Sequence, residues 1–304
     1  MLRYFFTLST VILFTFQAHS QRSYNDSIIF QDTAHTLIHG CFFDIARSGE
    51  KAFWNVVAEK RMGSSNGIFK IQRRRNSDLS LLDSIQLPKC SINEIESDLA
   101  GNLYISGAFR DSLPLTPATT LRASGTGYFT FKLDTNMLLV WVNDSIESIN
   151  IAVAPQGDAV FVKGIHSGFG GDVTIYKLNA RGNTVLSHQL VDIGFLFDLK
   201  ADDKGNVFFS GSCLNSQSTN LDTVSLNHNF SYTLYYGKLD TNLNASWIKI
   251  LEDFTCPSPW LDIDSLGNLI FMSPLHKSGT LDGFNLDAST EDFLFSSTMP
   301  SGQV

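Results

Sequence analysis

One phrase returns along this chain and constrains its fold more than any composition does. Asp98-Leu-Ala-Gly101-Asn102-Leu-Tyr104-Ile-Ser-Gly107 reappears as Asp202-Asp-Lys-Gly205-Asn206-Val-Phe208-Phe-Ser-Gly211 and as Asp264-Ser-Leu-Gly267-Asn268-Leu-Ile-Phe271-Met-Ser273. A weaker copy is Ala154-Pro-Gln-Gly157-Asp158-Ala-Val-Phe161. The weakest is Ala46-Arg47-Ser48-Gly49-Glu50-Lys51-Ala52-Phe53, with Ala46 and Glu50 where Asp and Asn are expected. The glycines Gly49, Gly101, Gly157, Gly205 and Gly267 fall 48 to 62 residues apart. A period of this length marks a repeat architecture, in which each copy is one supersecondary unit that cannot bury its apolar face alone.

A second phrase follows each copy. It reads Tyr128-Phe-Thr-Phe131-Lys132-Leu133-Asp134-Thr-Asn136, then Ile175-Tyr176-Lys177-Leu178-Asn179-Ala-Arg-Gly182-Asn183, then Tyr235-Tyr236-Gly-Lys238-Leu239-Asp240-Thr-Asn242, and loosely Ile68-Phe69-Lys70-Ile71. Val, Ile, Phe and Tyr crowd the runs in alternation, and no stretch holds a helical period with caps. Asp-x-x-Gly-Asn is a tight turn: Asp bonds its own backbone, and Gly accepts positive φ without steric cost. Asp-Thr-Asn and Ala-Arg-Gly-Asn act alike later in the unit. Each unit therefore reads as four antiparallel strands, a to d, with the first turn joining a to b and the second joining c to d.

Five such sheets predict an all-β fold, a β-propeller of four-stranded blades. A β-sandwich or an open array of hairpins is the competing arrangement of the same strands. The quoted residues resemble the repeat of secreted bacterial β-propeller (SBBP-type) proteins. The likeness rests on Asp98-x-x-Gly101-Asn102-x-Tyr104-x-x-Gly107 with Phe131-Lys132-Leu133-Asp134, and on the matching positions of the fourth unit, and it spans roughly residues 40–300. That resemblance implies extracellular scaffolding or binding and brings no shared catalytic residue.

The first twenty residues read as an export signal. Arg3 is a short positive region, Tyr4 to Phe16 is mainly apolar, and Ala18-His19-Ser20 supplies small residues for cleavage before Gln21. This stretch is short for a spanning helix, which needs about 20 apolar residues. The expected organisation is thus a signal peptide over 1–20 and one propeller domain over 21–304, secreted or displayed at the cell surface. The last unit stops at Ser301-Gly302-Gln303-Val304, where its fourth strand should begin. Ser27-Ile-Ile-Phe30 is a candidate for that missing strand, which would close a five-bladed ring; otherwise the chain is a fragment of a larger one.

With 22 Lys and Arg against 30 Asp and Glu, the net charge of −8 argues against nucleic acid as a partner. Cys41, Cys90, Cys213 and Cys256 are widely spaced, without a Cys-x-x-Cys pair, so no zinc site is expected. One or two disulfides and four buried thiols both fit.

Strand alternation puts the short repeated turns on one face of the ring and the variable b–c and d–a connections on the other. Variable loops on a rigid scaffold are where recognition sits. The candidate binding residues there are Arg110, Asp111, His166, Phe169, His228, Trp260 and His276.

Other motifs carry less. Gly63-Ser64-Ser65-Asn66-Gly67 matches a nucleophile elbow but leads into strand-like residues instead of a helix. His35 and His39 have helical metal spacing without a helical context. Asp262-Ile-Asp264 lacks the remaining ligands of a calcium loop. Arg73-Arg74-Arg75 reads as a solvated c–d turn. No catalytic residue, cofactor or metal is expected. The reading is a non-catalytic module for an extracellular protein or glycan, without stable membrane insertion. The alternative is a polysaccharide-acting hydrolase or lyase whose carboxylates gather at the ring centre.

Overall fold

The turn chemistry accounts for how the strands connect. In a computed structural model, the described residues are 40–48, 52–59, 68–164, 172–191, 193, 195–212, 219–221, 224–226, 234–251, 260–264, 267–275, 279–281, 284–286 and 292–298. In each a–b turn of the Asp-x-x-Gly-Asn type, the Asp amide donates to the Asn carbonyl four residues on, at 2.9–3.2 Å for Asp98, Asp202 and Asp264. The Asp carboxylate accepts from both the backbone and the side-chain amide of that Asn, at 2.7–2.9 Å in all three copies. The c–d turns opened by Asp134, Asn179 and Asp240 close in the same way. The fourth residue has positive φ in both sets: Gly101, Gly205 and Gly267 in one, Met137, Gly182 and Leu243 in the other. This is the three-residue hairpin loop with a bulge, which matches the twist of the flanking strands.

These turns join five antiparallel sheets. Blade 1 is β1 (Gly40–Ser48), β2 (Ala52–Glu59), β3 (Ile68–Arg75) and β4 (Leu81–Pro88). Blade 2 is β5 (Cys90–Ser97), β6 (Leu103–Thr116), β7 (Thr119–Leu133) and β8 (Leu139–Asn143). Blade 3 is β9 (Ser148–Val153), β10 (Ala159–Gly164), β11 (Val173–Asn179) and β12 (Thr184–Leu190). Blade 4 contains β13 (Phe195–Ala201) and β14 (Val207–Ser212), then a small hairpin of β15 (Thr219–Leu221) and β16 (Val224–Leu226), then β17 (Leu234–Leu239) and β18 (Ala245–Leu251). Blade 5 contains β19 (Trp260–Ile263) and β20 (Leu269–Leu275), a hairpin of β21 (Gly279–Leu281) and β22 (Phe284–Leu286), and β23 (Asp292–Thr298). Each blade's a-strand packs beside the next one's, from β1 through β5, β9 and β13 to β19. The architecture is the expected all-β propeller arrangement of five blades. Among the described residues no helix is long and apolar enough to cross a membrane. Residues 1–20, expected to be an export signal, and Ser27–Phe30 lie outside the described residues.

The core lies between blades. Trp54, Ile71, Ile95, Ile105 and Phe131 join blades 1 and 2, while Tyr104, Trp141, Ile151 and Val160 join blades 2 and 3. Phe161, Ile175, Leu199 and Phe209 join blades 3 and 4, and Phe208, Tyr236, Leu261 and Phe271 join blades 4 and 5. Blades 2, 3 and 4 thereby bury their two faces against different neighbours, and Phe131, Phe161, Phe208, Phe209 and Phe271 are buried in these interfaces.

Three expectations are corrected. The first repeat was aligned with Ala46 in the turn, but Ser48 pairs Ala52 and Ala46 pairs Trp54. Since Glu96 pairs Tyr104, Ala46 matches Glu96, and Ser48 takes the place of Asp98. The b–c connection of blade 2 is no loop: β6 and β7 run on as one long hairpin, bulged at Arg110–Ser112. Its Leu113 and Leu121 pack with Leu87 of blade 1, which explains the ordering. Arg73-Arg74-Arg75 is the end of β3, and Arg73 is only 22% exposed, pairing with Asp83 of β4 at 2.7 Å and donating to the Thr135 carbonyl of the next blade.

Candidate functional site

The a-strands bring charged side chains to the ring centre. On β5, Glu94 and Glu96 share one face because side chains alternate; on β13, Asp198 and Lys200 do the same. All four are buried, as is Asn150 on β9. A carboxylate of Glu94 accepts from the backbone amide of Ile151 at 2.8 Å, and Asp198 accepts from Leu261 at 3.0 Å. Glu94 and Asp198 each stand four residues before their turn Asp, so one bond is made twice, from blade 2 to 3 and from blade 4 to 5. An a-strand is an edge strand with unpaired amides, and the preceding blade's carboxylate satisfies one of them.

Glu96 and Lys200, each two residues before the turn, form an ion pair between blades 2 and 4 with side chains 5% and 6% exposed. Blade 3 presents Ala152 at the matching position, small enough to leave the pair room. Burial by itself would push the Lys200 pKa down; the carboxylates of Glu96, Asp198, Glu94 and Asp262 outweigh it and hold the ammonium above its ordinary value.

A second charged system repeats on the turn face. Arg73, Lys132, Lys177 and Lys238 lie cross-strand from Trp54, Tyr104, Phe161 and Phe208. Their cations sit over those rings at 5.5, 4.8, 5.6 and 4.8 Å. Each contact contributes about 0.5–1 kcal/mol at such partly exposed sites. Where the turn Asp is present, the lysine also pairs with it: Lys132 with Asp98 and Lys238 with Asp202, both at 3.5 Å. Where it is absent, the cation reaches the next blade's c–d turn. Arg73 donates to the Thr135 carbonyl, and Lys177 donates to the Thr241 carbonyl at 2.9 Å. The lysine of the second phrase thus belongs to the blade joint.

Of the sequence candidates, Arg110 and Asp111 are exposed at the bulge of β6, where Asp111 has φ of 62°. Trp260 opens β19 and is half-buried. These residues stand on separate blades, 2 and 5. His166, Phe169, His228 and His276 lie outside the described residues, as do Gly63–Gly67, His35 and His39. Among the described residues no group of three or more His, Cys, Asp or Glu is placed to hold a metal ion. Cys90 is a free thiol, and burial pushes its pKa up to about 12.

Reasoning from turns and loops missed Glu94, Glu96, Asp198 and Lys200. The available signal was charge at fixed offsets before the turn, inside strands otherwise committed to the core. A related signal was missed in the variable connections, where Thr219-Asn-Leu-Asp-Thr-Val-Ser-Leu226 and Gly279-Thr-Leu-Asp-Gly-Phe-Asn-Leu286 repeat the same small hairpin.

No family model matches the chain, and no curated protein matches it. A GH43 endo-arabinanase from Bacillus licheniformis is similar at 11% identity and a TM-score of 0.34, over 85% of this chain and 94% of that one. A neuraminidase-like protein of A/flat-faced bat/Peru/033/2010 is similar at 9% identity and a TM-score of 0.37, over 95% and 97%.

Proposed function

We propose that this chain is a secreted, non-catalytic propeller of the SBBP type that binds or displays an extracellular protein or glycan. The observation that carries the reading is the employment of the ring-centre acids. Glu94 and Asp198 hold the next blade's backbone, and Glu96 is tied to Lys200, so these carboxylates serve the joints of the ring. Recognition then belongs to the variable face, where Arg110 and Asp111 project from the long hairpin and Trp260 opens its blade. Residues 1–20 act as the export signal, and Gln21 becomes the N-terminus of the exported protein.

A second reading is a polysaccharide hydrolase or lyase. The gathering of Glu94, Glu96, Asp198 and Asp262 around Lys200 favours it, since acid–base chemistry on glycans uses paired carboxylates. Affinity electrophoresis in gels containing arabinan, polygalacturonate or dextran, with an assay for released reducing ends and unsaturated products, separates the two. Retention without cleavage, weakened in Arg110→Ala/Asp111→Ala, is expected; product release abolished by Glu96→Gln would establish the enzyme instead.

A further inference from the structure

A ring donor and a turn Asp recur at the joints between blades: the first has the Trp54 donor but Ser48 in the Asp place, the last has Asp202 but Phe208 in the ring place, and only the joint between blades 3 and 4 lacks both. Between blades 1 and 2, the Trp54 indole donates to the Gly101 carbonyl at 3.2 Å. Between blades 2 and 3, the Tyr104 hydroxyl reaches the Gly157 carbonyl at 3.3 Å and the Asp98 carboxylate at 3.0 Å. Gly157 is so closely covered there that an added Cβ would run into the Asp98 carboxylate and lie 2.8 Å from the Tyr104 oxygen. Between blades 3 and 4 both covering groups are missing. Phe161 stands where Tyr104 would be and has no hydroxyl, and Ala154 opens the turn where Asp98 would be. Around Gly205, the corresponding glycine, the nearest atom to an added Cβ is Thr241 Cγ2 at 3.9 Å. Among the described residues no side chain donates to the Gly205 carbonyl, and Lys177 has no carboxylate partner.

The gap is a cleft of about 270 Å³ lined by Lys177, Gly205, Asp158, Asp203, Lys204 and the floor residue Ala159, among others. That volume lies just below the roughly 300 Å³ at which pockets for drug-sized ligands begin, which suits one small polar molecule. Its chemistry follows from what the joint lacks. Lys177 takes the carboxylate that Asp98 gives Lys132, and the Gly205 carbonyl takes a donor such as the Tyr104 hydroxyl gives Gly157. Asp158 and Asp203 on the rim accept further donors. Lys177 is held over the Phe161 ring and on the Thr241 carbonyl, so its ammonium is oriented in advance.

We propose that the cleft between blades 3 and 4, on the repeated-turn face, binds a small carboxylate carrying adjacent hydroxyl or ammonium donors, as a sugar acid or an amino acid does. The proposal builds on the reading of the chain as a binding module and adds a second, separate site to it.

The test titrates full-length protein with D-glucuronate, glycine and D-glucose, read by calorimetry and by amide shifts at Gly205. Glucuronate or glycine saturates with Kd on the order of 1 mM, ordinary for so small a ligand; glucose, which has no carboxylate, binds at least about tenfold more weakly. The tighter of the two acids names the source. Ala154→Asp/Phe161→Tyr, which restores the repeat's own groups, removes binding while the melting temperature holds or rises. Lys177→Met weakens binding by about tenfold or more and gives a second route should the refilled variant not fold. Equal binding of glucose and the acids, no saturation by any of them, or wild-type affinity in both variants would overturn the proposal. None of these results bears on polysaccharide retention through Arg110 and Asp111, so the two readings fail independently.

Discussion

The Glu96–Lys200 pair is the most exacting point at which to perturb the ring. Glu96→Gln keeps the shape of the side chain and removes its charge, leaving a buried ammonium with Asp198, Glu94 and Asp262 still nearby. Removing one partner of a buried ion pair costs about 3–5 kcal/mol, because the other charge is left uncompensated. The remaining carboxylates hold Lys200 in part, which places the expected loss near the lower end, about 3 kcal/mol. At roughly 2–4 °C per kcal/mol for a domain of this size, the melting temperature falls by about 6–12 °C. Lys200→Met leaves four acidic groups facing one another without a cation and costs more, about 5 kcal/mol. Urea unfolding of both single variants and Glu96→Gln/Lys200→Met completes a double-mutant cycle, with the double variant losing less than the sum. The pH dependence has a definite sign. The folded pKa of Lys200 lies above its unfolded value near 10.5, so its contribution is complete below that pH and is lost as pH climbs through the folded value. A Glu96→Gln loss under about 1 kcal/mol, or strict additivity in the cycle, would refute the cross-ring tie.

Other perturbations test the joints singly. Tyr104→Phe removes the hydroxyl that bridges Asp98 and Gly157, and a loss of about 1–2 kcal/mol in chemical denaturation is expected. Gly157→Ala and Gly205→Ala share the same backbone penalty, about 1–2 kcal/mol, since φ is +70° at one and +77° at the other. Gly157→Ala alone also meets Asp98 and Tyr104, so it is the more destabilising of the two by thermal melts; equal losses would show that the blade 3–4 joint is as full as its neighbour. The Cys90 thiol, with its pKa near 12, resists iodoacetamide at pH 8 in the folded protein and reacts after unfolding, a difference read by intact mass.

Much of this architecture was legible because its signals are local. Asp-x-x-Gly-Asn names both residues that build the turn: an acid to accept the amides and a glycine at positive φ. Three full copies and the weaker one at Ala154 therefore located four a–b turns, and alternation supplied the strands between them. The weak first copy was misplaced by two residues, because Gly49 is a poor anchor where the turn Asp is missing and only strand pairing sets the register. The long hairpin of blade 2 was read as a loop since its order comes from Leu113 and Leu121 resting on blade 1, a contact no local pattern announces.

By itself, then, the sequence determined the unit: four strands, two matching turns, a lysine in the second phrase, and their number. Only the tertiary structure decided what those lysines and the a-strand acids do. Lys132 and Lys177 occupy equal places in their repeats, yet one pairs with its own turn and the other reaches across to the next blade, because Asp98 and Ala154 differ. Glu96 and Lys200 are 104 residues apart and meet across blade 3. Local turns are written in neighbouring residues, whereas an ion pair at the ring centre exists only once the blades have been set around it, and the cleft beside Gly205 only once a neighbouring blade fails to fill it.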